Sequence, residues 1–376
     1  MSLSSDLVQA FGQRFGAGGR LFRAPGRINI IGEHTDYSEG FVMPAAIDRA
    51  CLCAAAPSPD GVSRIFSLNR GGDVCELDPA RGPQNDWSDY AAGVFSALQT
   101  AGVSPVACHI GLSSNVPEGA GVSSSAALEV SVLTAVLALS GIDAPRQQRA
   151  AWARSAEADF VGVPCGIMDQ FISVSGLAGC ALVLDCRTLE ARIAPIPEHA
   201  AFAVIDSGVR HQLTDGGYAQ RRAECEDAAR LLNVRVLRDA DLISLAEGKL
   251  SDTLHRRARH VITESQRVAL TATALSQGDL SEVGCLMNAS HHSLQNDFAV
   301  TCPETDQLAD LARRTPGVYG ARQMGGGFGG AVLALCDRER AETAVESILE
   351  DQERLAGRRT EGFVCTVGAG AGEIMP

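Results

Sequence analysis

Val116-Pro117-Glu118-Gly119-Ala120-Gly121-Val122-Ser123-Ser124-Ser125-Ala126-Ala127 opens a long apolar, alanine-rich run that continues to Leu139. The run reads as a buried helix. Ahead of the loop, Val106, Cys108, Ile110 and Leu112 alternate on one face, which predicts a strand over 106–112. Strand, glycine loop, hydroxyls and helix start form one unit. Unpaired backbone N–H groups and the positive end of the helix dipole converge there, as an anion site requires. No lysine follows the glycines, so the loop is not of the Walker A type. The serines are candidates for N-caps and for a hydroxyl ligand to Mg²⁺. Read alone, the stretch is explained equally well by an ordinary capped helix after a glycine turn.

Working outward, composition narrows the classes. The chain has 376 residues, 45% of them apolar, enough for two lobes around a substantial core. No run reaches the roughly 18 apolar residues of a membrane span, and the longest candidate is interrupted by Glu129. The first residues lack a basic stretch followed by an apolar one, so no signal peptide is expected. Twelve cysteines without C-x-x-C spacing point to reduced thiols in a cytoplasmic protein, with neither zinc nor disulfides. The net charge of −13 argues against nucleic acid and anionic membranes as partners. It also means that phosphate must be held by local devices: backbone amides, a few placed arginines and a metal ion.

A second cluster lies near the N-terminus, in Gly26-Arg27-Ile28-Asn29-Ile30-Ile31-Gly32-Glu33-His34-Thr35-Asp36-Tyr37. Arg27, Glu33, His34 and Asp36 fall at a strand end and in the loop after it. Their carboxylates and imidazole suit either a metal or a ligand with many hydroxyls; a solvated charged loop is the plain alternative. Farther on, Asp169 sits in an apolar setting within Cys165-Gly166-Ile167-Met168-Asp169-Gln170-Phe171. An isolated carboxylate is costly there, so a cationic partner is expected, with Arg27 the candidate. Helices are expected over 5–16, 86–100, 145–161 (carrying Glu157) and much of 251–298; strands over 21–31, 41–56, 62–68, 180–186 and 201–205. His291 and His292 read as surface or helix-packing residues rather than metal ligands. Five glycines in 325–330 precede an apolar strand from Ala331 and permit close backbone approach. The Pro-containing stretch 192–197 suggests a boundary between a domain 1–195, with the 26–37 cluster and the glycine-serine loop, and a domain 196–376, with the glycine-rich loop 325–330.

Three of these motifs, in this order, resemble the GHMP kinase superfamily: the 26–37 cluster, Pro-x-Gly-x-Gly-x-Ser-Ser-Ser-Ala at 117–126, and the glycine loop. The first resembles the galactokinase signature as a whole, as do Cys165 to Phe171 and Met287 to Leu294. The similarity runs from about Phe22 to about Val367. The resemblance implies an α+β fold of two lobes, with ATP and sugar in the cleft between them. It implies that Gly119, Ala120, Gly121, Val122, Ser123, Ser124 and Ser125 wrap the ATP phosphates, and that Ser125 and Glu157 hold Mg²⁺. Glu33, His34, Thr35, Asp36, Gly166, Asp169 and Tyr218 would bind D-galactose, with Asp169 the catalytic carboxylate and Arg27 its partner. Ser38 stands where that family has Asn and, being shorter, bears on fine sugar preference. The enzyme is expected to act as a monomer.

The reaction so implied is transfer of the ATP γ-phosphoryl group to the anomeric hydroxyl of the sugar. Asp169 would serve as general base, or, since an arginine partner makes a carboxylate a poorer base, mainly orient the hydroxyl. Three rivals stand beside this reading. A galactose and ATP sensor of the same build would carry an altered serine-alanine segment, whereas Ser123 to Ala127 is complete here. A kinase of N-acetylgalactosamine, galacturonic acid or arabinose would share most motifs, although Glu33, His34 and Asp36 with Tyr218 favour galactose. A metallohydrolase on Glu33, His34 and Asp36 leaves both glycine loops unexplained.

Overall fold

A computed structural model describes residues 3–16, 18–209, 216–357 and 359–375 of the chain. Helix α1 (Leu3–Phe15) precedes strands β1 (Arg20–Asn29), β2 (Phe41–Val42), β3 (Pro44–Pro57), β4 (Arg64–Ser67) and β5 (Cys75–Glu76). Helix α2 (Asp89–Thr100) and strand β6 (Cys108–Ser114) lead to α3 (Ser124–Leu139), the apolar run, and α4 (Arg146–Ser155), α5 (Met168–Ser175), β7 (Cys180–Asp185), β8 (Ala191–Pro195) and β9 (Ala200–Asp206) follow. The second half is helical first, with α6 (Gly217–Leu231), α7 (Leu242–Glu247), α8 (Asp252–Gln277), α9 (Leu280–Ser293) and α10 (Pro303–Arg314). Strands β10 (Val318–Met324) and β11 (Ala331–Asp337), helix α11 (Ala341–Ala356), and strands β12 (Gly362–Cys365) and β13 (Gly372–Ile374) complete it.

The described strands form three sheets, in the orders β13-β1-β3-β6-β4-β5, β10-β11-β9-β12 and β2-β7-β8. Each half therefore contributes a sheet, and the chain end crosses back: β13 pairs antiparallel with β1, and Val367 bridges Ile47. Helix α3 is largely apolar and mostly buried, because β1 and β3, α2 and α4 cover it. One hydrophobic cluster runs from Ile28, Ile110 and Val132 through to Phe202 and Leu333, so the halves share a core.

Most expected elements are present. Val106 falls outside its strand and is exposed, because pairing of β6 with β3 begins at Cys108. The helix carrying Glu157 widens into a π-helical turn over Ala156–Val161, a distortion frequent at functional sites. The stretch placed between domains includes β8, which pairs with β7.

Two close backbone approaches shape the site. The register of β1 against β3 shifts between Pro25 and Arg27, a bulge that turns Arg27 toward the loop before α3. A Cβ on Gly26 would lie 2.7 Å from the Val122 carbonyl, and Arg27 N–H donates to that oxygen at 3.0 Å. Between α9 and β10 the backbones also touch, and a Cβ on Gly284 would overlap the Tyr319 carbonyl. Gly284→Ala should therefore cost about 1–3 kcal/mol of stability by overpacking. Gly12→Ala, in α1 with no atom near its added Cβ, should instead stabilise by roughly 0.5–1 kcal/mol. Urea unfolding of both variants checks this, and a neutral Gly284→Ala would contradict the packing account.

Candidate active site

The bulge, the α3 loop, the start of α5 and the β10–β11 loop meet at a cleft of about 270 Å³. Its walls include Arg27, Glu33, His34 and Asp36 from the first cluster, Gly119 and Gly121 to Ser125 from the phosphate loop, and Glu157, Gly166, Asp169 and Tyr218. Residues Met324 to Gly327, with Gly329 and Gly330, close the far side. Two expected ligands do not line it. Thr35 is fully buried and donates its hydroxyl to the Gly32 and Phe41 carbonyls, so its side chain braces the loop rather than facing the cavity. Ala120, within the same loop as Gly119 and Gly121, is likewise buried and absent from the cavity wall. Ser38 also lies away from the cleft, with its hydroxyl toward the Cys225 thiol.

Asp169, in the first turn of α5, meets Arg27 in a two-pronged pair: Nε to Oδ1 at 2.8 Å and Nη2 to Oδ2 at 2.7 Å. The cationic partner expected from the apolar surroundings of Asp169 is thus present. Arg27 Nη1 also donates to the Gly121 carbonyl, so one guanidinium joins the phosphate loop to the carboxylate. Ser123 does not cap α3. Its φ of 58° is left-handed, a strained state for serine, and aims its hydroxyl at Asp169 Oδ2.

His34 is also left-handed, at φ 59°. Its ring lies 5.6 Å from that of Tyr218 and 5.0 Å from that of Phe298, and Nδ1 is 3.2 Å from the Tyr37 hydroxyl. Its buried Nε2 has no hydrogen-bond partner among the described residues. Burial, aided by His260 and Arg221, pushes His34 down to about 3, so it is a neutral imidazole. Asp36 occupies the space that a side chain at 166 would fill: a Cβ on Gly166 would overlap its carboxylate. Burial and the charge of Asp169 push Asp36 up to about 6. Burial also holds the Tyr218 phenol well above its ordinary value.

Glu157 lies in the widened turn with the Ser125 hydroxyl bonded to its carboxylate. Gln170 Nε2 donates to Glu157 Oε2 at 2.6 Å and faces Glu129 Oε2, on buried α3, at 3.2 Å. Burial, then Asp169, pushes Glu157 up to about 7. Such a pocket of hard oxygen donors suits a small divalent cation, which would favour the carboxylate form. Among the described residues no larger group of His, Cys, Asp and Glu gathers for a metal. His291 is buried, accepts from Gln323 N–H at 3.0 Å and is kept neutral by burial, at about 3; His292 is exposed. Both serve as packing or surface residues.

A second cleft of about 280 Å³ shares Gly119, Ser124 and Ser125 with the first, and the rings of Trp87 and Tyr90 line it. Sequence reading missed these two aromatics, which had no motif around them. It also missed Arg322, a fully buried cation on β10 that bonds Glu33. The signal for Arg322 was the buried carboxylate at Glu33, which needs a partner just as Asp169 does.

Comparison with known proteins agrees with this geometry. Residues 9–57 match the galactokinase galactose-binding signature. Residues 89–177 match the N-terminal domain of GHMP kinases, and residues 271–353 their C-terminal domain. The galactokinases of Chloroflexus aggregans and Chloroflexus aurantiacus are 43% and 44% identical to this chain; each alignment covers 97% of the chain and 96% of the relative. The structure of Lactococcus lactis galactokinase complexed with galactose superposes with a TM-score of 0.94 at 31% identity, covering 99% of this chain and 100% of that one. Among the described residues, no helix is long and apolar enough to cross a membrane. By sequence along its whole length and by fold, the chain belongs to the galactokinase family of GHMP kinases.

Proposed function

We propose that this chain transfers the γ-phosphoryl group of ATP to the C1 hydroxyl of α-D-galactose, giving galactose 1-phosphate and ADP. The observation that carries this reading is Asp169, gripped by Arg27 where the polar cluster of 33–36 and the phosphate loop share one cleft. The relatives named above, one solved with galactose, support the choice of sugar.

Galactose sits against Glu33, His34, Asp36, Gly166 and Tyr218. The free Nε2 of His34 and the carboxylates of Asp36 and Glu33 bond its hydroxyls. Thr35 contributes by holding the loop. ATP lays its phosphates over Gly119 to Ser125, where the N-terminal amides of α3 and its dipole receive them. The adenosine then lies in the adjoining cleft against Trp87 and Tyr90. Ser125 and Glu157 would hold Mg²⁺, which would neutralise charge on the phosphates. Residues 1–195 and 196–376 act as the two lobes, with β13 returning across their boundary.

The transferred group passes through a loose transition state, so positioning and charge matter more than nucleophile strength. The C1 oxygen forms a bond to γ-phosphorus as the bond from phosphorus to the β,γ-bridging oxygen breaks. Asp169 orients the attacking hydroxyl and receives its proton as the new bond forms. Arg27 fixes the plane of that carboxylate and carries positive charge toward the phosphoryl group.

Galactose-dependent ADP formation is the primary test, and its absence in the wild-type protein would remove this reading. Asp169→Asn should lower turnover by at least about 10²-fold with ATP affinity retained; near-normal turnover would take Asp169 out of the mechanism. Ser125→Ala should raise the Mg²⁺ concentration needed for half-maximal rate, and an unchanged requirement would refute that ligand. Trp87→Ala should raise the ATP KM by roughly 10-fold, the value of about 1–1.5 kcal/mol of aromatic contact, and leave the galactose KM alone. An unmoved ATP KM would put the base elsewhere.

A further inference from the structure

Glu33 is almost wholly buried, and Arg322 from β10 wholly so. The two lie 289 positions apart in sequence, Glu33 in the loop after β1 and Arg322 on β10. Arg322 Nη2 donates to Glu33 Oε2, and Nη1 donates to the Asn29 carbonyl at 2.6 Å. Asn29 Nδ2 donates to the same Oε2 at 3.1 Å. The other oxygen, Oε1, accepts the backbone N–H of Gly325, the first residue of the glycine loop, at 3.1 Å. A carboxylate offers about four acceptor positions. Three are thus taken by protein donors, and Glu33 still lines the cavity.

Asn29 N–H also donates to Met324 Sδ at 3.2 Å. The end of β1 and the start of the glycine loop are therefore joined through Arg322, Asn29 and Glu33 and not by backbone pairing. His260 fixes the Glu33 carbonyl at 3.0 Å, so the backbone of residue 33 is held as well. What the fork of Arg322 adds is the rotation of the carboxylate. Lysine would keep the charge but not the two-pronged reach to Glu33 and Asn29.

We infer that Arg322 is a positioning residue for the sugar: it turns the Glu33 carboxylate so that one oxygen fastens the glycine loop while the remaining acceptor position faces galactose. Arg322 itself is absent from the cavity wall and acts through Glu33. The inference rests on the galactose reading of the cleft.

The test is a steady-state comparison of wild type, Arg322→Lys, Glu33→Gln and the double variant, each with a thermal melt. Wild-type turnover with galactose must be present first; without it the galactose reading itself falls. Given that turnover, Arg322→Lys should melt cooperatively and raise the galactose KM about 10- to 100-fold, the cost of a misplaced binding group, with kcat much less changed. In the Glu33→Gln background the same change should add no more than about twofold, because both substitutions act through one carboxylate. Three results would overturn the inference: an unchanged galactose KM in Arg322→Lys, effects that multiply in the double variant, or a Lys variant that does not fold, which would assign Arg322 to stability of the core alone.

Discussion

The guanidinium of Arg27 meets the carboxylate of Asp169 across 142 positions of sequence. Much of the surrounding structure exists to allow that contact. A bulge in β1 at Gly26 turns Arg27 out of the sheet, and the absence of a Cβ there lets the strand lie against Val122. The same side chain reaches the Gly121 carbonyl, so the phosphate loop cannot move without disturbing the carboxylate. Ser123 accepts a strained backbone to add its hydroxyl to Asp169. A carboxylate held by three hydrogen bonds from two side chains is oriented in advance, which fits a reaction governed by positioning more than by a strong base.

The second constraint is electrostatic. A protein with net charge −13 gathers Glu33, Asp36, Glu157 and Asp169 around the one cleft proposed to take the ATP phosphates. The carboxylates answer in two ways. Asp169 and Glu33 each take an arginine. Among the described residues neither Asp36 nor Glu157 is paired with an arginine, and burial with the nearby Asp169 raises them to about 6 and about 7. Near neutral pH, Glu157 would lose its proton to hold the Mg²⁺ proposed there, which would couple metal affinity to pH. Phosphate recognition then falls to groups that carry no fixed negative charge: loop amides, the α3 dipole and serine hydroxyls.

Much of this was legible in the sequence, for physical reasons. Asp169 between apolar neighbours demanded a cation, and Arg27 proved to be that cation. The apolar run after the serines read as a buried helix, and ten of the sixteen residues of α3 are buried. The glycines of 325–330 permitted a close backbone approach, and there the β10–β11 turn touches the loop before α3, a Cβ on Gly325 lying 3.3 Å from Gly121 Cα. Other features depend on contacts that no local pattern records. Thr35 looks like its polar neighbours, yet its hydroxyl turns inward because two carbonyls of the same loop need a donor. Trp87 and Tyr90 carry no spacing that sets them apart from core aromatics until the fold places them beside Ser124 and Ser125. The return of β13 to the first sheet likewise follows from pairing, which a short polar terminus does not announce.

The most direct measurement is phosphorus NMR of the product formed from ATP, Mg²⁺ and α-D-galactose. The account predicts one new sugar phosphate resonance, split by the anomeric proton, appearing in equal amount with ADP. Phosphate on another carbon, or inorganic phosphate released with the sugar unchanged, would contradict it.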